Sequence, residues 1–286
     1  MHSHGLPALL EKAAKSNPSC GLIVPASGSV RSFTSLSYQD LLFQAQRKSD
    51  ILQQVQGFKK GAPILVYLDE HLETFIWFWA ILHADAVPVI SSPFSNIAEQ
   101  RQRYIRGLAN LLEHPICVTK IKLLELFDGQ DGLNIRTTDS LISNSDHVPK
   151  LQMDDHVGGR NDDLANLMLT SGSTGTPKAV RLSHNQIFAA VAGKVLSREL
   201  PVGKPYLNWI GLDHVASITE IHLTATYMGV DQVHLHTADI VSDHLEFLNL
   251  LSRYKVVRTF APNFFLASSS PRCDPSGRID AQKIWT

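Results

Sequence analysis

The stretch LMLTSGSTGTPKAV, residues 167–180, places a turn of small and hydroxylated residues between two apolar runs. Gly172 and Gly175 allow backbone conformations and close approaches that a Cβ would block. Lys178 adds a cation, and hydroxyl groups surround the glycines at Ser171, Ser173, Thr174 and Thr176. A charge-assisted hydrogen bond contributes about 1.5–3 kcal/mol, so several together can hold a triphosphate. The composition therefore predicts a cradle for a polyphosphate.

The same residues allow two other interpretations of this turn. Ser, Gly and Thr also compose flexible linkers, although a linker is seldom enclosed by two apolar strands a few residues away. A Walker A loop requires G-x-x-x-x-G-K-[ST], whereas here the glycines are three apart and Thr176 and Pro177 separate Gly175 from Lys178. The spacing therefore argues against a P-loop NTPase.

Apolar runs and helical periodicity alternate on both sides of the turn. Short runs typical of buried strands occupy residues 62–68, 86–90, 115–119, 164–169, 178–183, 206–210, 232–236 and 255–260. Helical patterns occupy the N-terminus and residues 41–55, 73–84, 98–114, 183–197, 214–228 and 243–254. This alternation predicts an α/β fold of βαβ units, with mainly parallel sheets and helices on both faces. Ligands in such sheets bind beyond the carboxyl ends of strands, where the turn lies.

Local signals mark where several of these elements begin and end. Ser37 with Asp40, and Ser183 with Gln186, have the spacing of capping boxes at helix starts. Gly57 is a plausible helix stop. Residues 128–162 are polar and read as a loop, and residues 268–286 show no periodicity and read as a loose polar tail.

Composition excludes several classes of function. The net charge of −1 gives no strong field towards nucleic acid or a membrane surface. The three cysteines form no CxxC pair and no secretory signal is seen, so a cytoplasmic location is expected. The most apolar window, residues 74–90, is interrupted by His83, Asp85 and Pro88 and predicts a buried helix followed by a strand.

The order of the residues in the turn resembles the signature of a known family. TSGSTGTPKAV resembles the phosphate-binding signature [ST]-S-G-[ST]-T-G-x-P-K-G-V of the adenylate-forming superfamily, which includes acyl-CoA synthetases, nonribosomal peptide synthetase adenylation domains and luciferases; Ala179 replaces the last Gly. Residues 208–236 resemble the segment that lines the acyl pocket, in the form common in fungal synthetase-like adenylation domains of secondary metabolism. The helix-to-strand passage 75–89 also resembles the family. The resemblance implies the N-terminal portion of an AMP-binding domain over residues 1–267.

The resemblance implies ATP-dependent activation of a carboxylic acid as an acyl-adenylate, with ATP and Mg²⁺ as cofactors. The implied phosphate-binding residues are Thr170, Ser171, Gly172, Ser173, Thr174, Gly175, Thr176 and Lys178. Among them Lys178 and Thr174 would act in catalysis, with Thr174 near Mg²⁺. Magnesium retains most of its waters, so few protein ligands are expected.

Asp213 and His214 fall in the implied acid pocket. Amino-acid-activating members of the family usually carry Asp at the position aligned with His214, and a neutral imidazole cannot replace that charge. An aryl, keto or fatty acid is therefore favoured over an α-amino acid, with CoA or a phosphopantetheine carrier protein as acceptor. Asp213 is one residue away, so an alignment shift of one reverses the inference. His214 otherwise reads as a polar residue at a helix start, and Trp209 and Thr219 as core residues or pocket lining.

Other motifs of the family are not found in these residues. There is no aromatic-Gly-x-Thr-Glu stretch for Mg²⁺, no Thr-Gly-Asp for ribose, and no lid domain with its Lys. We therefore expect the front half of an adenylation domain, with little turnover of its own. The alternative is a non-catalytic remnant of a larger synthetase that binds nucleotide or a partner, or is inert. A zinc site at His234, His236 and His244 is disfavoured because no Cys or carboxylate is grouped with them.

Overall fold

The computed structural model describes residues 5–26, 29–129, 131–143, 162–171, 176–262 and 265. Four of the predicted phosphate-binding residues, Gly172, Ser173, Thr174 and Gly175, lie outside the described residues. So does the predicted tail 268–286, and the division of the chain at residue 267 stays a prediction.

The first sheet joins the N-terminal strands to a late part of the chain. Its order is β2 (Ser29–Ser37), β1 (Gly21–Ala26), β10 (Gln232–His234) and β9 (Tyr206–Asn208). Strands β1 and β2 pair antiparallel, and β10 runs parallel to both β1 and β9. The predicted strand 255–260 was too long, because only Arg258 bridges to Tyr206 at the edge of this sheet.

The second sheet is fully parallel, as the βαβ pattern predicts. Its order is β4 (Val87–Ile90), β3 (Pro63–Val66), β5 (Ile116–Thr119) and β6 (Asn134–Thr137). The connections are α3 (His71–His83), α4 (Ala98–Leu111) and a 3₁₀-helix (Ile121–Phe127). Strand β6 and the following α5 (Thr138–Ser143) lie in the predicted loop 128–162, so that prediction was wrong there. The residues of β6 are only partly buried and give no apolar run.

The turn that resembles the family signature joins an antiparallel pair. Strand β7 covers Leu164–Ser171 and β8 covers Pro177–Ser183, and the two form a separate two-stranded sheet. Leu167 and Leu169 of β7 pack in the same cluster as Val87 and Val89 of β4. The hairpin is therefore held on the second sheet by its apolar side chains.

Both predicted helix starts are confirmed. Ser37 Oγ accepts a hydrogen bond from Asp40 N at the start of α2 (Tyr38–Gln53). Ser183 begins α6 (His184–Ser197) with a complete capping box, in which Gln186 Oε1 accepts from Ser183 N. Gly57 does not end α2 directly, since the helix stops at Gln53 and Gly57 lies in the turn that follows. The predicted N-terminal helix is α1 (Leu6–Ser16).

The predicted helix 214–228 is not a regular α-helix. It consists of a π-helix (Ala216–Leu223) followed by α7 (Thr224–Met228). Thr224 Oγ1 donates to Thr219 O at 2.9 Å within the wider turns. Helices α8 (Thr237–Ser242) and α9 (His244–Tyr254) complete this region. The π-helix is rare in proteins. Where one does occur, it often lies at a functional site.

Helix α3 forms the centre of the core. Its residues from Thr74 to Leu82 are all buried. Phe75, Phe78 and Trp79 pack with residues of α1, α2 and β1, whereas Trp77 and Ile81 pack with the second sheet. Burying each such side chain stabilises the fold by about 1.5–3 kcal/mol. Within the described ranges, no helix combines the length and apolar character needed to cross a membrane.

Candidate nucleotide and acid site

The hairpin β7–β8 has polar residues at the end where β7 finishes and β8 begins. Thr170 lies opposite Lys178, and Ser171 lies opposite Pro177. The side chains of Thr170, Thr176 and Lys178 are exposed. Pairing across an antiparallel ladder places Thr170 and Lys178 with their Cβ atoms about 4.5–5.5 Å apart. A hydroxyl and a cation on adjacent strands fit an anionic group such as a phosphate.

Helix α4 supports the start of β8. A Cβ built on Gly107 of α4 would lie 2.6 Å from Pro177 Cδ. That distance is too short for two carbon atoms, so this position requires glycine. The close approach fixes Pro177, and with it the position from which Lys178 extends.

The predicted acid-pocket residues lie in the loop between β9 and the π-helix. Asp213 is half-buried and His214 is exposed. Asp213 Oδ2 accepts a hydrogen bond from Ser92 Oγ at 2.6 Å. Ser92 follows the carboxyl end of β4, so this bond connects the loop after the first sheet to the edge of the second.

Tyr104 connects this bond to α4. Its side chain lies beside the hydroxyls of Ser91 and Ser92. Burial raises the pKa of Tyr104 and the charge of Asp213 raises it further, whereas the two serine hydroxyls lower it. Because Tyr104 and Gly107 are three residues apart on one helix, they lie on the same face. One face of α4 therefore contacts both Pro177 at the hairpin and the serines beside Asp213.

Asn208 fixes the loop that carries Asp213. Its buried Nδ2 donates to Ser217 Oγ and to Ile210 O, both at 2.9 Å. The first bond reaches the π-helix and the second closes the loop on itself. Asn208 therefore holds the two ends of the loop together, a role that its sequence context gave no sign of.

Trp209 and Thr219, considered for the same pocket, are both buried. Trp209 Nε1 donates to Phe260 O at 2.7 Å, and its ring packs against Phe247 and Phe265. The core alternative is confirmed for Trp209. Thr219 points its Oγ1 into the interior, where it makes no hydrogen bond within the described part of the chain.

A buried polar network around Gln232 was missed from the sequence. Gln232 Oε1 is shared by His222 Nδ1 and His234 Nε2, each at 2.9 Å, and Gln232 Nε2 donates to Tyr38 Oη at 2.7 Å. Trp79 Nε1 donates to His222 Nε2 at 2.9 Å. Since an indole N–H only donates, His222 is neutral with its proton on Nδ1. Burial lowers the pKa of His222 to about 4, and the Gln232 bond opposes this shift.

The remaining histidines of this region stack around α3. His71 lies on His236 with ring centroids 4.2 Å apart. Burial, then the nearby His236, lowers the pKa of His71 to about 3; burial, then His222 and His71, lowers the pKa of His234 well below its ordinary value. Among the residues that the structure describes, no group of three or more His, Cys, Asp or Glu is arranged to hold a metal ion.

An ion cluster ties the π-helix to its neighbours. Glu220 accepts from Arg258 Nη2 at 3.0 Å through Oε2, and its Oε1 pairs with Lys194 of α6. Burial, then Arg258 and Arg198, lowers the pKa of Lys194. The three paired groups are separated by tens of residues along the chain, so no local pattern could have revealed them.

Residues 10–268 match the family described as AMP-binding enzyme. The chain is 42% identical to the nonribosomal peptide synthetase apvA of Aspergillus terreus over 285 residues, which is 100% of this chain and 31% of that protein. It is 39% identical to the aspulvinone E synthetase melA of Aspergillus terreus, over 98% of this chain and 30% of that protein. The chain thus spans about three tenths of the length of these relatives.

Solved structures share the fold. An adenylation domain of a keto acid-selecting nonribosomal peptide synthetase module, bound to keto acyl adenylate, superposes with a TM-score of 0.76 at 27% identity. The match covers 93% of this chain and 49% of that chain.

Proposed function

The chain belongs to the AMP-binding enzyme family, and from that premise we propose that it activates a carboxylic acid with ATP. In this reaction the carboxylate attacks the α-phosphorus of ATP, an acyl-adenylate forms and pyrophosphate leaves. The observation that carries the proposal is the end of the β7–β8 hairpin, where Thr170 and Lys178 face one another beside Pro177. Charge develops on the departing pyrophosphate, so fixed donors at that position lower the barrier.

We assign the phosphate contacts to this hairpin. Lys178 and Thr174 interact with the β- and γ-phosphates during the reaction, supported by Thr170, Ser171, Gly172, Ser173, Gly175 and Thr176. Mg²⁺ that enters with ATP would be held mainly by phosphate oxygens and water, and Thr174 is the residue that we assign to contact it. The fixed position of Pro177 on Gly107 supports this assignment, because a positioned donor costs no reorganisation when charge develops.

For the acid we propose an aryl, keto or fatty acid in preference to an α-amino acid. His214, at the position where amino-acid-activating members carry Asp, is an exposed imidazole. Similarity to an adenylation domain that selects keto acids supports the same class. In a longer synthetase the activated acyl group would pass to CoA or to a phosphopantetheine carrier protein.

We further propose that these 286 residues turn over slowly by themselves. They contain no sequence that matches the family's ribose-binding, magnesium-binding or lid-lysine motifs. Each such transition-state contact is often worth about two to three orders of magnitude in rate. Cysteines without a CxxC pair support a reducing, cytoplasmic setting.

Two measurements on the full chain test the proposal. Isothermal calorimetry should detect binding of MgATP, and ATP–pyrophosphate exchange should be slow and depend on added acid. An exchange panel of aryl 2-keto acids, benzoic acids, fatty acids and the matching amino acids then identifies the acid class. No binding of MgATP would refute the proposal, and faster exchange with amino acids would refute the acid class. Binding without exchange under any acid would favour a nucleotide-binding remnant.

A further inference from the structure

Asp213 is the carboxylate of the proposed acid-pocket loop, and its side chain is held between Ser92 and Gly211. Oδ2 accepts from Ser92 Oγ at 2.6 Å, an ordinary distance for a hydroxyl bound to a carboxylate. Oδ1 lies against Gly211, where an added Cβ would collide with it. The carboxylate is therefore folded back over its own loop and capped by a residue 121 positions earlier in the chain.

Ser92 is itself held in place for this bond. Its carbonyl accepts from Ser91 Oγ at 3.0 Å, and Ser91 is buried. Tyr104, on one face of α4, lies beside both serine hydroxyls. Asn208 fixes the loop from the other side through Ser217. The contact between Ser92 and Asp213 thus joins two firmly held segments.

An α-amino acid brings an ammonium group that must exchange its water for a counter-charge when it is buried. Asp213 has the charge for that role, and it lies in the loop that we assign to the acid pocket. Oδ2 accepts from Ser92 Oγ and Oδ1 faces Gly211, so an ammonium would meet a carboxylate that these two neighbours already hold in one orientation.

We propose that Ser92 is a specificity-determining residue, which holds Asp213 against Gly211 and thereby withdraws its carboxylate from an incoming α-ammonium group. This inference rests on the proposed function, because it concerns which acid the site accepts. An acid with a keto or aryl carbon at the α-position needs no counter-charge. The orientation of Asp213 therefore does not affect its binding. Ser92 acts through Asp213 and is a positioning residue for it.

The first test compares one pair of acids on the full chain, phenylpyruvate and L-phenylalanine, in the presence of MgATP. The quantity measured is the ratio of their affinities, which a general loss of stability does not change. Ser92→Ala should lower the preference for the keto acid by about tenfold or more. Ser92→Thr keeps the hydroxyl and should retain the preference. Adding Asp213→Asn to Ser92→Ala should abolish the gain for phenylalanine, and an unchanged ratio in Ser92→Ala would overturn the proposal.

The second test does not depend on acid binding. Carbodiimide with glycinamide couples an amine to accessible carboxyl groups, and mass spectrometry of peptides reports the yield at Asp213 relative to exposed Asp69. Ser92→Ala should raise this relative yield several-fold, while Ser92→Thr should not. If neither acid binds to any variant, the proposed function fails, whereas the coupling yield still decides the role of Ser92. Equal yields in wild type and Ser92→Ala would refute it.

Discussion

Gly107 of α4 lies directly against Pro177, the residue that begins β8 and precedes Lys178. An added Cβ on Gly107 would lie 2.6 Å from Pro177 Cδ. Because glycine has no Cβ, the start of β8 can approach α4 closely at this point. The contact between Gly107 and Pro177 therefore helps to set the position of Lys178, the next residue.

Gly107→Ala should therefore destabilise the chain and weaken MgATP binding. Replacing a helical glycine by alanine normally stabilises by up to about 1 kcal/mol, but the clash with Pro177 should reverse the sign and cost about 1–3 kcal/mol. Urea unfolding and calorimetry with MgATP measure the two effects. Gly193→Ala on α6 is the matched control, because nothing lies within 4 Å of its added Cβ. A stabilised Gly107→Ala with unchanged nucleotide affinity would contradict the account.

The capping box at Ser183 should make a measurable contribution to stability. Ser183→Ala removes the hydroxyl that accepts from Gln186 N, so the first turn of α6 loses a partner. The expected cost is about 1 kcal/mol in the free energy of unfolding. Ser197→Ala, at the opposite end of the same helix, provides the comparison. Equal stability of the two variants would show that the Ser183 cap does not stabilise α6.

The buried histidines should make the chain sensitive to acid. The folded-state pKa of His222 is about 4, below the ordinary value near 6.5. The unfolded chain therefore binds more protons between these values, so stability is present above pH 6.5 and is lost as pH falls towards 4. His222 alone should account for about 2 kcal/mol between pH 8 and pH 5. Chemical unfolding as a function of pH measures this loss.

One variant separates His222 from general acid denaturation. His222→Gln should reduce the slope of unfolding free energy against pH, whatever its effect on stability at pH 8. A His222→Gln slope identical to the wild type would mean that this imidazole does not titrate on unfolding.

Glu220 should stabilise the π-helix through its two cationic partners. Glu220→Gln leaves Lys194 and the buried Arg258 without their shared carboxylate. Breaking such a pair is costly, and here about 2 kcal/mol is expected because Lys194 is partly exposed. Asp69→Asn removes one half of an exposed pair with Lys122 and should leave the unfolding midpoint unchanged. Similar midpoints for both variants would contradict a structural role for Glu220.

The sequence reveals those parts of the fold that depend on local patterns. Buried strands such as β3 and β7 show continuous apolar runs, and the hydroxyl of Ser183 beside Gln186 identifies a helix start. The family signature locates the hairpin end between Thr170 and Lys178. These features are encoded within a few residues of one another, so periodicity and spacing are enough to find them.

Other features depend on distant partners and leave no local trace. Strand β6 is formed by pairing with β5 and has no apolar run of its own. The π-helix differs from an α-helix only in its hydrogen-bond offset, which the apolar spacing of residues 214–228 does not reveal. The bond between Ser92 and Asp213 unites two sheets across the chain. The sequence pointed to Asp213, but its partner Ser92 could be identified only from the folded structure.

The most direct test of the central claim is the affinity of MgATP for wild type and Lys178→Met, measured by calorimetry. Losing one charge-assisted contact of about 1.5–3 kcal/mol predicts binding weaker by roughly 10- to 100-fold. Arg181→Met, which removes a cation three residues further along β8, should bind as the wild type does. Equal affinity in all three proteins would show that the hairpin does not hold the phosphates of ATP.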